Sequence, residues 1–203
     1  MKNNFDSIDY SKQKELINNG YNEFATQEYK RSSLNTILTK SKISKGFFYH
    51  YFENKDDFYN YLVERSIHLV VNKLNQENIL DEQDYIQRLQ SQAILKLELA
   101  DEFPNLFLFL AKYYKTMSHE DYMKLLNEMT SNFGQRFLYE NIDFSLFKDD
   151  IPKDLAIKVI GRYNHQILFE IDQMDKKLTF NEIIQYYKTQ FEDIKKILYK
   201  KEK

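Results

Sequence analysis

Four Gly, two Pro and no Cys in 203 residues restrict this chain more than any motif does. A many-stranded sheet needs frequent tight turns, and Gly and Pro supply most of them. With so few breakers the chain is left to long regular segments closed by side-chain caps, which means helices. No alternating apolar and polar run marks a strand, and no internal repeat or low-complexity tract is present. The expected fold class is all-α. Hydrophobic residues make up 42% of the chain and aromatics 16%, every one of them Phe or Tyr, so the core should be Phe-rich.

Periodicity and caps place about nine helices. The first covers residues 10–24, with Leu16, Ile17, Tyr21 and Phe24 on one face. Ser32 or Ser33 caps a second over 34–40, Ser44 caps a third over 45–51, and Asn54 caps a fourth that runs to about residue 80. Asp57 follows three residues after Asn54, where a carboxylate suits the positive helix end. A fifth spans about 84–100, a sixth begins at Pro104, and a seventh runs from the Ser118 cap to Tyr139. The eighth starts near Pro152 and ends near Met174; the ninth follows the Thr179 cap to about Lys200.

The absence of Cys excludes disulfides, thiolate metal sites and cysteine nucleophiles. No HxxxH or HExxH spacing supports a metal, and neither a Gly-rich phosphate loop nor a Gly-x-Ser-x-Gly elbow is present. An enzyme is not expected, and no cofactor or metal is implied. The first six residues lack the apolar stretch of a signal peptide. The greasiest run, 106–111, is too short to cross a bilayer. The expectation is a cytoplasmic protein without membrane partners, at the nucleoid when bound to DNA.

The net charge of −2 argues against nucleic acid at first sight, but its distribution does not. Residues 29–55 carry Lys30, Arg31, Lys40, Lys42, Lys45 and Lys55 against Glu53, so the rest of the chain carries −7. A basic segment on an acidic body is the distribution expected of a DNA-binding head. Residues 32–51 also read as a helix-turn-helix, with Ser41-Lys42-Ile43 as the turn. In that motif the start of the second helix enters the major groove. Ser44, Lys45, Gly46 and Phe47 would enter first: two donors, a position that lets backbone approach, and an apolar ring for thymine methyls. Tyr49, His50 and Lys55 carry donors for phosphate oxygens, as do Ser32 and Ser33 at a helix start, and Lys42 adds a cation in the turn.

These residues carry a resemblance. Ile17, Gly20, Phe24, Ser32-Ser33 and Ile37, then Ile43-Ser44-Lys45-Gly46-Phe47-Phe48-Tyr49-His50-Tyr51-Phe52 and Lys55-Asp56-Asp57-Phe58, resemble the N-terminal domain of TetR-type (TetR/AcrR) transcriptional regulators over about residues 10–63. The turn departs from the family's common Ala-Gly-Val. Lys42 stands where Gly often supplies a positive φ, so mild strain is expected there. Leu38 replaces a usual small residue, and Phe47 replaces a usual Thr or Ser, which removes a hydroxyl and should alter sequence preference.

The resemblance implies a helix-turn-helix domain over 1–55 and a helical effector-binding and dimerisation domain over 56–203. It implies a homodimer on a near-palindromic operator in double-stranded DNA, released by a small-molecule effector that moves the fourth helix. Repression is the family's common habit. The last two helices each carry an apolar stripe that could pack inside the monomer or against a second copy. Val159, Tyr163 and Ile167, with Ile184, Tyr187 and Phe191, are the dimer candidates, and Met174 extends the first stripe. Phe107, Tyr114, Phe137, Tyr163 and His165 are the effector candidates, and their character favours an apolar or aromatic ligand. The alternative is a helical small-molecule-binding protein that no longer binds DNA.

Overall fold

A computed structural model of the chain describes residues 5–172 and 179–200. Among them are ten α-helices: α1 (Tyr10–Thr26), α2 (Leu34–Lys40), α3 (Lys45–Tyr51), α4 (Lys55–Gln76), α5 (Tyr85–Glu102), α6 (Leu106–Tyr114), α7 (His119–Thr130), α8 (Phe133–Tyr139), α9 (Lys153–Asp172) and α10 (Phe180–Leu198). The fold is all-α, and only one isolated bridge, Phe147 with Tyr199, departs from helix and loop among the described residues. None of these helices is long and apolar enough to cross a membrane.

Capping side chains fix where the helices begin. The hydroxyls of Ser33, Ser44, Ser118 and Thr179 accept from the backbone N–H groups of Thr36, Phe47, Asp121 and Glu182. Asn54 accepts from Asp57 N at 2.9 Å while the Asp57 carboxylate accepts from Glu53 N at 3.0 Å, a reciprocal cap of α4. Three expected boundaries shift. α4 ends at Gln76 because Asn78 turns left-handed at φ 50 and a short 3-10 turn, Ile79–Asp81, follows. Pro104 lies in the turn before α6 instead of opening it. The seventh expected helix is two, α7 and α8, because Ser131 and Asn132 adopt φ 51 and 62. Short polar side chains tolerate that conformation, so a helix can break there without Gly or Pro.

The chain forms two compact units: Met1–Asn72 with Glu98–Asn132, and Lys73–Leu97 with Phe133–Lys203. Lys55, which closes the expected first domain, lies inside the first unit.

The first unit has the expected Phe-rich core: Phe24, Phe48, Phe52, Phe58, Phe103 and Phe109 are all buried. α1 passes close to α4 at Gly20, where an added Cβ would fall 2.8 Å from both Leu62 and Phe58, so only Gly permits the approach. α1 is also tied to α6, whose Lys112 ammonium donates to Gln27 O at 2.6 Å and Ala25 O at 3.3 Å, at the carbonyl end of α1. Burial pushes the Tyr21 phenol, between Phe103 and Phe109, up to about 12. Phe5 precedes α1 yet is fully buried. Its ring lies 5.1–5.5 Å from those of Tyr51, Phe52 and Tyr61. Asp6 beside it accepts from Tyr61 OH at 2.7 Å and Arg65 Nη1 at 3.3 Å.

The second unit is organised by Arg88, which is fully buried on α5. Its partners are carbonyls: Phe137 O at 2.8 Å from Nη1, Leu80 O and Glu140 O at 2.8 Å from Nη2, and Glu82 O at 2.9 Å from Nε. Two of these carbonyls belong to the end of α8, where a cation also meets the negative pole of the helix. Burial lowers the guanidinium pKa, but arginine keeps its proton in proteins.

Asp84 joins α5 to the C-terminal helix. Its carboxylate accepts from Lys195 Nζ at 2.9 Å and Tyr199 OH at 2.7 Å, and it caps α5 through Ile86 N at 2.9 Å. Burial pushes the Asp84 carboxyl up, but Tyr199, Lys195 and the backbone together outweigh it and hold the carboxyl below the usual aspartate range. A depressed folded pKa gives stability that is full above the unfolded value of about 3.9 and is lost as pH falls through the folded one. The gap in unfolding free energy between wild type and Asp84→Asn should therefore be constant above about pH 5 and shrink below about pH 4. Urea titrations at a series of pH values check this; a gap that widens with acid contradicts it.

Candidate nucleic-acid interface

α2, the turn and α3 follow from local chemistry. Past the end of α2, Lys42 adopts φ 55, its N–H bonds to Thr39 O at 3.2 Å, and Ile43 N bonds to Leu38 O at 3.0 Å. This paired pattern is the Schellman closure, which normally uses Gly at the left-handed position. Lys42 fills that position with a side chain, so the expected strain is present. Ile43 and Leu38 both pack into the core, the apolar contact that accompanies such a stop.

α3 then divides cleanly. Phe48 is fully buried, while Phe47 and Tyr51 are half-buried with ring centroids 5.1 Å apart. The opposite side presents Lys45, Gly46, Tyr49 and His50, all exposed, with Lys42 and Ser44 exposed at its entrance. Tyr49 is 45% exposed, unusual for a large aromatic in so well-packed a domain. A Cβ on Gly46 would meet nothing within 4 Å, so packing does not require that glycine. Among the described residues no carboxylate pairs with Lys42 or Lys45. A helix face with unpaired cations, an exposed phenol and a bare backbone position can lie against a phosphate-lined groove.

Residues 16–62 match the family model described as bacterial regulatory proteins, tetR family. Solved structures with this fold include a TetR family transcription regulator from Marinobacter aquaeolei VT8, at a TM-score of 0.63 and 15% identity, covering 94% of this chain and 97% of that one. Another is a TetR family transcriptional regulator from Chloroflexus aurantiacus J-10-FL, at 0.62 and 20%, with 97% of each chain covered. A third is the transcriptional regulator FadR from Bacillus subtilis in complex with stearoyl-CoA, at 0.58 and 17%, covering 88% and 95%. Among curated proteins none matches the chain.

Residues 16–62 are a TetR-family domain.

Within this TetR-type head, two of the residues expected at the DNA turn inward. Ser32 is buried and its hydroxyl donates to Tyr29 O at 2.6 Å. The Lys55 ammonium donates to Tyr29 O at 2.8 Å, Ser32 O at 3.1 Å and Ser32 Oγ at 3.3 Å. Ser33 is half-buried, with its hydroxyl capping α2 and its N–H donated to Glu23 Oε1 at 2.8 Å. The structure thus gathers Lys42, Ser44, Lys45, Gly46, Tyr49 and His50 on one face, with Phe47 at its edge, and sets Ser32 and Lys55 behind them in the protein.

The effector candidates are divided between the two units. Phe107 packs on the core of the first unit, where Tyr114 is 38% exposed against Tyr122. Phe137 is buried beside Tyr85 and Arg88 in the second unit, where Tyr163 donates to Gln190 Oε1 at 3.1 Å. The side chain of His165 lies outside the described residues, as does Met174. The groove between α5 and α10, lined by Ile94, Leu97, Ile184 and Tyr187 among others, has a volume of only about 10 Å³, room for about one water. Sequence reasoning overlooked Lys96 on α5. Burial pushes its amine down, and it has no hydrogen-bond partner among the described residues.

The six dimer candidates differ in exposure. Ile167, Tyr187 and Phe191 are buried within the protomer, where Tyr187 donates to Asn164 Oδ1 at 3.0 Å and its ring packs on Phe191. The shared stripe of α9 and α10 faces inward, so these side chains have no surface left for a second copy. Val159, Tyr163 and Ile184 keep part of theirs exposed.

Proposed function

We propose that this protein is a ligand-responsive DNA-binding transcriptional regulator that acts as a homodimer on a near-palindromic operator. The observation that carries the reading is the outer face of α3, with Lys45, Gly46, Tyr49 and His50 exposed together and, among the described residues, no carboxylate paired with its lysine. Repression, relieved when a small molecule binds the helical body, is the mode this reading favours. The B. subtilis FadR structure holds stearoyl-CoA, which supports a long apolar effector with a charged head. Lys96, which has no hydrogen-bond partner among the described residues, supports the same class, since an anion brought to its half-buried amine would favour the charge that burial opposes. An effector shifts the DNA-binding equilibrium only by its differential affinity for two states, and about 1–3 kcal/mol of coupling gives a factor of about 5–150.

Selection of duplexes from a random library by the purified full-length protein tests the reading. The expected outcome is a two-fold symmetric sequence whose half-sites lie about 34–36 Å apart or at multiples of that, bound with an affinity that falls steeply with salt. Recovery of no duplex, together with a ligand-induced rise in melting temperature, would establish instead a small-molecule-binding protein without a DNA partner.

A further inference from the structure

Lys55 carries an inference that goes beyond the operator reading while resting on it. It is the first residue of α4, a position where a lysine beside free helix N–H groups would ordinarily face a phosphate. Here its three ammonium hydrogens meet three acceptors, Tyr29 O, Ser32 O and Ser32 Oγ, all in the loop between α1 and α2. The charge also lies 4.3 Å from the centroid of the Tyr29 ring, within cation–π range. Tyr29 in turn packs on Phe24 and Tyr59, so the ring beneath the ammonium is fixed from α1 and from α4. The loop is itself a tight turn, with Arg31 N and Ser32 N both bonded to Glu28 O at 2.9 Å. Lys30 and Arg31 stand exposed at its crest, and its end, Ser33, caps α2.

We propose that Lys55 is a positioning residue for DNA binding and not a phosphate contact: it locks the α1–α2 loop to the start of α4, which holds Lys30, Arg31 and the start of α2 in place for the duplex. An ammonium that left this site for a phosphate would take its donor from the part-buried Ser32 carbonyl and hydroxyl, and would leave Tyr29 O with only the Ser32 hydroxyl and N–H. The loop would then be ordered only on binding, which weakens association without changing how many phosphates are neutralised.

The experiment uses the full chain and the duplex recovered by the selection above, with Lys55→Met and Lys55→Arg. The salt dependence of affinity is read between 50 and 200 mM, and backbone amide exchange is followed at Arg31 and Ser32. In Lys55→Met, affinity of the folded protein should fall roughly tenfold while the slope of log K against log salt is unchanged, and both amides should lose protection. Lys55→Arg keeps the charge but puts a planar fork where a compact ammonium fits, so it should weaken binding as well. The inference is overturned if Lys55→Met reduces the slope by about 0.9, the mark of one lost phosphate contact. It is equally overturned if Lys55→Arg binds like wild type, or if the amides stay protected in Lys55→Met. A wild-type protein that binds no duplex removes the operator reading and this inference together, so the two failures are told apart.

Discussion

Replacing Arg88 with Met should destabilise the protein by about 3–5 kcal/mol. The side chain is fully buried, and its hydrogen bonds run to the carbonyls of Leu80, Glu82, Phe137 and Glu140. Methionine nearly fills the space but offers no donor, so the carbonyls of Glu82, Phe137 and Glu140 lose this donor at once and Leu80 O keeps only Asn141 Nδ2 at 3.3 Å. Against the typical 5–15 kcal/mol that keeps a domain folded, this is a large fraction. Urea unfolding followed by circular dichroism should show the midpoint moving down by roughly 1–3 M. Lys at the same position should recover only part of the loss, since three donors from a single nitrogen cannot span carbonyls on several segments. A loss below about 1 kcal/mol for Arg88→Met would mean that water replaces the guanidinium at little cost.

The second large effect is on DNA affinity. The double variant Lys42→Gly, Lys45→Gln removes two exposed cations that no carboxylate partners among the described residues. Glycine suits the φ of 55 at position 42, so the turn should be relieved and not broken. If each lysine neutralises one phosphate, the slope of log K against log salt should become shallower by about 1.8, and affinity near 0.1 M salt should fall roughly tenfold to a hundredfold. Thermal melting should be unchanged or slightly higher. An affinity that drops with no change in slope would place these lysines away from the phosphates.

The parts of the fold legible in the sequence are those that local chemistry decides. Ser33, Ser44, Asn54, Ser118 and Thr179 announce helix starts because an N-cap needs only a side-chain oxygen and the next turn of backbone. The strain at Lys42 was legible only through the family resemblance, in which Gly commonly stands at that turn position. The break between α7 and α8 was not, because Ser131-Asn132 can continue a helix or turn left-handed, and packing decides which. The stripes on α9 and α10 were seen, but periodicity records only that a face is buried and not what buries it; Tyr187 and Phe191 meet their own protomer. The hydrogen bonds of Lys55 were not legible because its acceptors lie 23 and 26 residues upstream. Arg88 gave no signal at all, since an arginine among Gln and Leu reads as a solvated charge until carbonyls from 49 and 52 residues downstream close around it.

Phe5 changes what the start of this chain is good for. A residue ahead of the first long helix is wedged among rings from α3, the segment after it, and α4, with Asp6 tied to Tyr61 and Arg65. A fluorophore attached at Ser7 would therefore report on the corner where α3 meets α4. Its anisotropy would track that corner when a duplex or a small molecule is added, with no label placed on the exposed face of α3.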